Sequence, residues 1–207
     1  NNSFLNTIKY GNNKKVNVEF VSANPTGPIH VAHIRGAVFG DVLSSLYEKM
    51  GFSVSREYYV NDAGSRIHKL SISLYKRYCE LFNKEIKFND DEYPGEYLID
   101  IAKEIANKDK DKWINEKEPT YLLYFKNYAV KSLLEKIKND LNLININFDV
   151  FTFESNIEKS KIIENLFNIL KNQNLIFEGV LPKPKGDDSN WEPRKQLLFN
   201  SSKLLDN

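Results

Sequence analysis

The clearest alternation of apolar and polar positions begins at Val16. Val16, Val18 and Phe20 alternate with Asn17 and Glu19, the two-residue period of a strand. Asn24-Pro25-Thr26-Gly27-Pro28 breaks that period with turn residues. Beyond it Ile34, Ala37, Val38, Val42, Leu46 and Met50 recur at three- and four-residue spacing, which predicts a helix ending at Gly51. Residues 52–60 predict a second strand, with Val54, Tyr58 and Val60 on one face. Strand, helix and strand in that order imply a right-handed crossover and a parallel pair, so the fold class is α/β.

The pattern then turns helical. Ile67, Leu70, Leu74, Tyr78 and Leu81 form a stripe over 65–82, and Pro94-Gly95-Glu96 opens a helix at 97–108. Residues 83–93 are polar and read as a loop, and 107–118 is a charge run expected to be a solvated connection. The longest helix is expected over 119–141. Its Tyr121, Tyr124, Phe125 and Tyr128 could stack on RNA bases, but at helical spacing they read first as core. A strand is expected at 148–152. Ser155 and Glu158 have the spacing of a capping box for a helix running to 172. Residues 175–181 and 196–199 predict two short strands. Pro182-Lys183-Pro184-Lys185-Gly186 between them, with Arg194 and Lys195, is the strongest basic patch.

Composition narrows the classes. The 207 residues carry 29 Lys and Arg against 28 Asp and Glu, so the near-zero net charge of +1 gives no overall pull toward nucleic acid or membrane. Any RNA contact must come from local patches. Cys79 is the single cysteine, which rules out an internal disulfide and suits a cytoplasmic setting. No apolar run reaches membrane-spanning length. The sequence starts at Asn1 and has Met50 as its one methionine, so it reads as a piece of a longer product.

His30 and His33 sit where the loop becomes the helix. Free N–H groups and the positive dipole end of a helix start form an anion site, and imidazole N–H groups beside it add phosphate donors. A metal pair is the rival reading. Zinc-protease helices place a carboxylate between two histidines at four-residue spacing, and neither feature is present. His68 is the third histidine and reads as a surface or packing residue, so no protein-bound metal is expected.

The run Asn24-Pro25-Thr26-Gly27-Pro28-Ile29-His30-Val31-Ala32-His33 resembles the first signature of class I aminoacyl-tRNA synthetases. Its flanks, Val16 to Ala23 and Arg35-Gly36-Ala37-Val38-Phe39-Gly40-Asp41, are similar to those of arginyl-tRNA synthetases. So are Arg56-Glu57-Tyr58-Tyr59-Val60-Asn61-Asp62-Ala63-Gly64, Tyr93 to Leu98, Gly179 to Gly186 and Trp191 to Phe199. The resemblance implies three segments. Residues 1–14 would be the tail of an N-terminal domain with a linker. Residues 15–82 would be the first half of a Rossmann-like catalytic domain. Residues 83–207 would be a mainly helical connective insertion, cut before the second catalytic half.

The resemblance also implies chemistry. ATP, with Mg as the substrate complex, would activate L-arginine to an adenylate, and the arginyl group would pass to tRNA(Arg). His30 and His33 would be catalytic. Gly27, His30, Ala32 and His33 would bind ATP, and Glu19, Ser22 and Asn24 would bind arginine. A monomer in the full-length state would be expected, with the 207-residue chain inactive alone. Ala32 replaces the signature glycine, so its methyl is expected to crowd adenine. Lys159-Ser160-Lys161 lies in an expected helix and is no substitute for the family's later catalytic loop. Two readings remain beside this one: another class I synthetase or nucleotidylyltransferase, and a non-catalytic RNA-binding remnant.

Overall fold

A computed structural model describes residues 9–183 and 192–205. Three parallel strands form one sheet in the order β1 (Lys15–Glu19), β2 (Ser53–Val60), β3 (Val150–Phe153). Lys15 pairs with Ser53 and Glu19 with Glu57. Glu57 pairs onward with Val150 and Val60 with Phe153. Helix α1 (Val31–Lys49) connects β1 to β2. Three helices separate β2 from β3: α2 (Gly64–Glu80), α3 (Tyr97–Asp109) and α4 (Thr120–Leu143). The expected α/β class and parallel first pair are observed. No described helix is long and apolar enough to cross a membrane.

α1 ends as its sequence predicts. Gly51 takes φ +85, Phe52 N–H returns to the Tyr47 carbonyl at 3.1 Å and Gly51 N–H to Glu48 at 2.9 Å. These are the two bonds of a glycine-terminated helix, and the Tyr47 and Phe52 rings seal it edge to face at 5.2 Å. The face that α1 turns to the sheet is the surprise. Ala37, Gly40 and Ser44 are its buried residues, whereas Val31, Val38, Phe39, Val42 and Leu46 are 48–85% exposed. Small side chains let the helix lie close. A Cβ on Gly40 would fall 2.2 Å from the Phe20 ring. Arg56 of β2 then ties the helix down. Its guanidinium grips Glu48 at 2.5 and 3.2 Å and reaches Asp41 at 3.3 Å.

Two apolar clusters fill this unit. Phe20, Ala37, Tyr58, Val60, Leu134, Ile137 and Leu141 join the sheet, α1 and the second half of α4. Ile67, Leu70, Leu74, Leu98, Ile105, Phe125 and Leu133 join α2, α3 and the first half of α4. Each fully buried side chain of this size contributes about 1.5–3 kcal/mol. The aromatics of α4 are core: Tyr121 stacks on Tyr75 at 3.9 Å and Tyr124 on Trp113 at 4.2 Å. Cys79 is buried.

Two expectations change. The charge run at 107–118 is no plain solvated connection. It contains a 3₁₀ turn, Lys112–Asn115, whose Trp113 is buried and donates to Asp109 at 2.8 Å. The helix expected over 155–172 is two helices, α5 (Glu154–Lys159) and α6 (Ile162–Asn172). Ser155 lies inside α5 and caps nothing, because its N–H and hydroxyl both go to the Asp62 carboxylate, at 2.9 and 2.6 Å. Two compact units meet between Asn156 and Ile157. α3 and α4 pack on α2, and β3 completes the same sheet as β2.

In the second unit β4 (Ile176–Gly179) pairs antiparallel with β5 (Gln196–Phe199), and α7 (Ser202–Leu205) follows. Leu175 is buried. Lys183, Arg194 and Lys195 of the basic patch are exposed, and residues 184–186 lie outside the described residues.

Two glycines of α1 give a paired test. Nothing lies within 4 Å of a Cβ on Gly36, so Gly36→Ala should stabilise by up to about 1 kcal/mol through helix propensity. Gly40→Ala gains the same propensity but must displace the Phe20 ring, and should destabilise by about 1–3 kcal/mol. Urea denaturation of both variants decides it, and shifts of the same sign would refute the close-approach account.

Candidate functional site

β1 and β2 are parallel, so the segments after both leave the same edge of the sheet. The first carries every candidate residue from Ser22 to His33. It leaves β1 sharply: Val21 and Ser22 adopt φ +63 and +41, positions that side chains with a Cβ seldom occupy. Two bonds hold this bend. Ser22 N–H reaches the Phe20 carbonyl at 2.9 Å, and Ser22 Oγ accepts Tyr59 N–H at 3.0 Å. The same hydroxyl donates to Glu19 Oε1. Ser22 thus fixes the Glu19 carboxylate and locks the bend to β2.

Glu19 is exposed at the end of β1, beside Glu57 in the ladder. The two carboxylates differ. Glu57 accepts the Thr152 hydroxyl and the Asn17 amide, and these bonds, the first foremost, hold it below the usual carboxylate range. Glu57 is occupied by the sheet. Glu19 has one hydroxyl partner and keeps acceptor capacity for a cationic ligand.

The loop that follows is held from two sides. Tyr58 Oη donates to the Ala23 carbonyl at 2.8 Å, and Tyr97 Oη to the Thr26 carbonyl at 2.6 Å. Asn24, half-buried between them, makes no side-chain hydrogen bond among the described residues. Gly27 faces Tyr97, whose hydroxyl would lie 3.4 Å from a Cβ there.

His30 is the N-cap of α1, extended at φ −134, and donates its N–H to His33 Nδ1 at 3.2 Å. The two rings lie 3.9 Å apart. Because Nδ1 accepts, the His33 proton resides on Nε2, which remains a donor for a ligand. Burial first, and the neighbouring His30 second, push His33 below its ordinary pKa. The first turn of α1 carries no acid, and Ala32 is exposed there. Neutral N–H donors at a helix start suit an anion, phosphate above all.

The structure therefore groups Glu19 with Ser22 and His30 with His33, on either side of the tyrosine-held loop. Asp62, just beyond β2, serves Ser155. It also lines a cavity of about 300 Å³ with Phe153 and the α4 residues Lys126, Lys131 and Lys138, whose walls include neither histidine. Among the described residues no three His, Cys, Asp or Glu side chains form a cation cluster. Sequence reasoning missed Tyr58, Tyr97 and the Asp62–Ser155 pair. Only the polar tip on an otherwise apolar position signalled the tyrosines.

The His33 geometry has a pH consequence. A histidine whose folded pKa is depressed contributes stability above its unfolded value of 6.5 and loses it as pH falls through the folded value. A ¹⁵N NMR titration should find the Nε2–H tautomer and a midpoint below 6.5. An Nδ1–H tautomer, or a midpoint at or above that value, would contradict the assignment.

Comparison with known proteins places the chain. A family model described as tRNA synthetases class I (R), catalytic domain, matches residues 1–180. The arginine–tRNA ligase of Wolbachia pipientis wMel is 48% identical over 201 residues, which cover 97% of this chain and 35% of that protein. That of Orientia tsutsugamushi strain Boryong is 46% identical over 199 residues, 95% of this chain and 34% of that protein. A solved arginyl-tRNA synthetase structure from Campylobacter jejuni aligns with a TM-score of 0.72 at 31% identity, over 89% of this chain and 40% of that one. The chain spans about a third of the length of the curated relatives it matches. With a strand, a Pro/Gly loop and a histidine-capped helix start inside the matched residues, the chain belongs to the class I tRNA synthetase (R) catalytic-domain family.

Proposed function

We propose that this chain is the nucleotide- and arginine-binding part of an arginine–tRNA ligase. The observation that carries the reading is the pair of contact groups around one loop. One presents a carboxylate, Glu19 held by Ser22. The other presents imidazole donors at a helix start, His30 and His33. A guanidinium is a fork of donors that pairs best with a carboxylate, and a triphosphate needs donors without competing acids.

The reaction follows from those chemistries. The arginine carboxylate attacks the α-phosphorus of ATP, a new O–P bond forms, and pyrophosphate leaves with the electrons of the broken bond. The arginyl group then passes to the terminal ribose of tRNA(Arg), and AMP leaves. Positioning and charge neutralisation do most of this work, with no protein nucleophile required. His33 Nε2–H and the His30 imidazole stabilise charge growing on the phosphates, from positions fixed before reaction. Asn24 orients the amino-acid end of arginine. Gly27 and Ala32 line the ATP site, and Mg enters with ATP as its substrate complex.

In this reading residues 15–82 are the first half of the nucleotide-binding fold, and residues 83–207 belong to the connective insertion. The whole protein works as a cytoplasmic monomer. Glu19 and Asn24 favour arginine over the substrates of other class I synthetases. The exposed Lys183, Arg194 and Lys195 offer phosphate contacts for tRNA.

A thermal-shift panel of non-hydrolysable aminoacyl-adenylate analogues for all twenty amino acids, run on the full-length protein, tests the reading. A shift confined to the arginyl analogue and lost in Glu19→Ala is expected, since a ligand of the native state stabilises by mass action. A shift with another amino acid's analogue would overturn the arginine assignment. In the same protein Ala32→Gly should tighten ATP binding, measured by calorimetry. Unchanged or weaker affinity would remove the crowding argument.

A further inference from the structure

We propose that Tyr97, on α3, is a positioning residue for the 24–30 loop, which bears Asn24 and leads into His30 at the helix start. The proposal rests on the synthetase reading for its catalytic consequence, but its structural half stands on geometry alone.

Tyr97 lies 71 positions after Thr26, yet its hydroxyl donates to the Thr26 carbonyl at 2.6 Å. A Cβ added at Gly27 would lie 3.4 Å from the tip of the Tyr97 ring. Thr26 N–H closes on the Asn24 carbonyl at 2.7 Å, so the carbonyl that Tyr97 holds belongs to the same turn as Asn24. From the other side Tyr58 holds the Ala23 carbonyl at 2.8 Å. The loop is suspended between a hydroxyl from the sheet and a hydroxyl from a helix.

The base from which Tyr97 reaches is itself pinned. Tyr93 N–H donates to Ser73 Oγ at 2.9 Å, and Ser73 is buried. Arg77 donates to the Pro94 carbonyl, and Lys76 pairs with Glu92 at 2.6 Å. Leu98, next in the chain, is fully buried in the helical core. Gly95 has a matching requirement: a Cβ there would fall 2.2 Å from Tyr97 Cε1. The missing side chain at Gly95 is what lets the ring fold back onto the loop. Burial also raises the pKa of Tyr97, which keeps its hydroxyl a donor. A helical hairpin outside the sheet therefore sets the loop that joins Glu19 and Ser22 to the histidines.

The test uses Tyr97→Phe, which keeps the ring and deletes the bond, and Gly95→Ala, which keeps the hydroxyl and displaces the ring. Tyr121→Phe, remote from the loop, is the control. Amide exchange followed by NMR in the full-length protein is the first readout. Loss of one hydrogen bond should speed exchange at Thr26 and Gly27 on the order of tenfold in both variants. Exchange at Ile101 and Ile105 of α3 should not change. Equal loop exchange in wild type and Tyr97→Phe would overturn the proposal. The second readout is arginine-dependent ATP–pyrophosphate exchange with tRNA(Arg) present. Tyr97→Phe should lower kcat about tenfold with KM for arginine within about twofold, and Tyr121→Phe should match wild type. A faster-exchanging loop with unchanged kcat would overturn the catalytic half. If the wild-type protein exchanges pyrophosphate with another amino acid or none, the synthetase reading falls, and the amide data still decide whether Tyr97 sets the loop.

Discussion

Everything at the proposed site depends on how closely α1 approaches the end of β1. The Phe20 ring occupies the space that a side chain at Gly40 would fill. Only a helix with Ala37, Gly40 and Ser44 on its inner face can lie so near. That distance fixes the span the 21–30 segment must bridge, and with it the place of the histidine-capped helix start. Arg56 secures the far half of the helix through Glu48 and Asp41. Packing sets the approach and ion pairing sets the rotation, so the loop connects two fixed ends.

α4 carries the same logic across the larger unit. Its first half lies in the core of α2 and α3, and its second half in the core beneath the sheet. A single rigid element thus belongs to both clusters. Tyr97, which grows from the first cluster, can hold a loop that grows from the second because the two share this helix. Asp62 adds a smaller bond of the same kind, joining the exit of β2 to the exit of β3 through Ser155.

Much of this was legible in the sequence, and the reasons for the rest are physical. Strand and helix periods are local, so β1, α1, β2, α2 and α3 stand within a few residues of their expected places. The histidine-capped start of α1 was legible too, because caps are local. The inner face of α1 was not. Apolar spacing points Val38, Val42 and Leu46 inward, but the close approach to Phe20 selects small residues instead. Ser155 misled for a related reason. Its capping pattern is local, whereas its partner Asp62 lies 93 positions away. Trp113 was hidden in a charge run, since composition averages over the one side chain that is buried. At the site, Glu19, Ser22 and the histidines carried chemical signals, while Tyr58 and Tyr97 act through hydroxyls whose targets are main-chain carbonyls. No pattern in side-chain types marks a main-chain target.

The placement of β3 next to β2 has an evolutionary side. Val60 and Val150 begin and end a long excursion, yet they lie on neighbouring strands. A segment anchored at two adjacent points of a sheet is free to grow or shrink with little strain on that sheet. Doubling a flexible stretch within it costs only about 0.6 kcal/mol of closure entropy. The polar 83–93 loop is the natural place for such length change, because it is exposed over most of its course and tied at Glu92. Lineages can therefore elaborate the helical excursion and leave the rim untouched, provided that the tyrosine reaching back from α3 keeps its distance to Thr26.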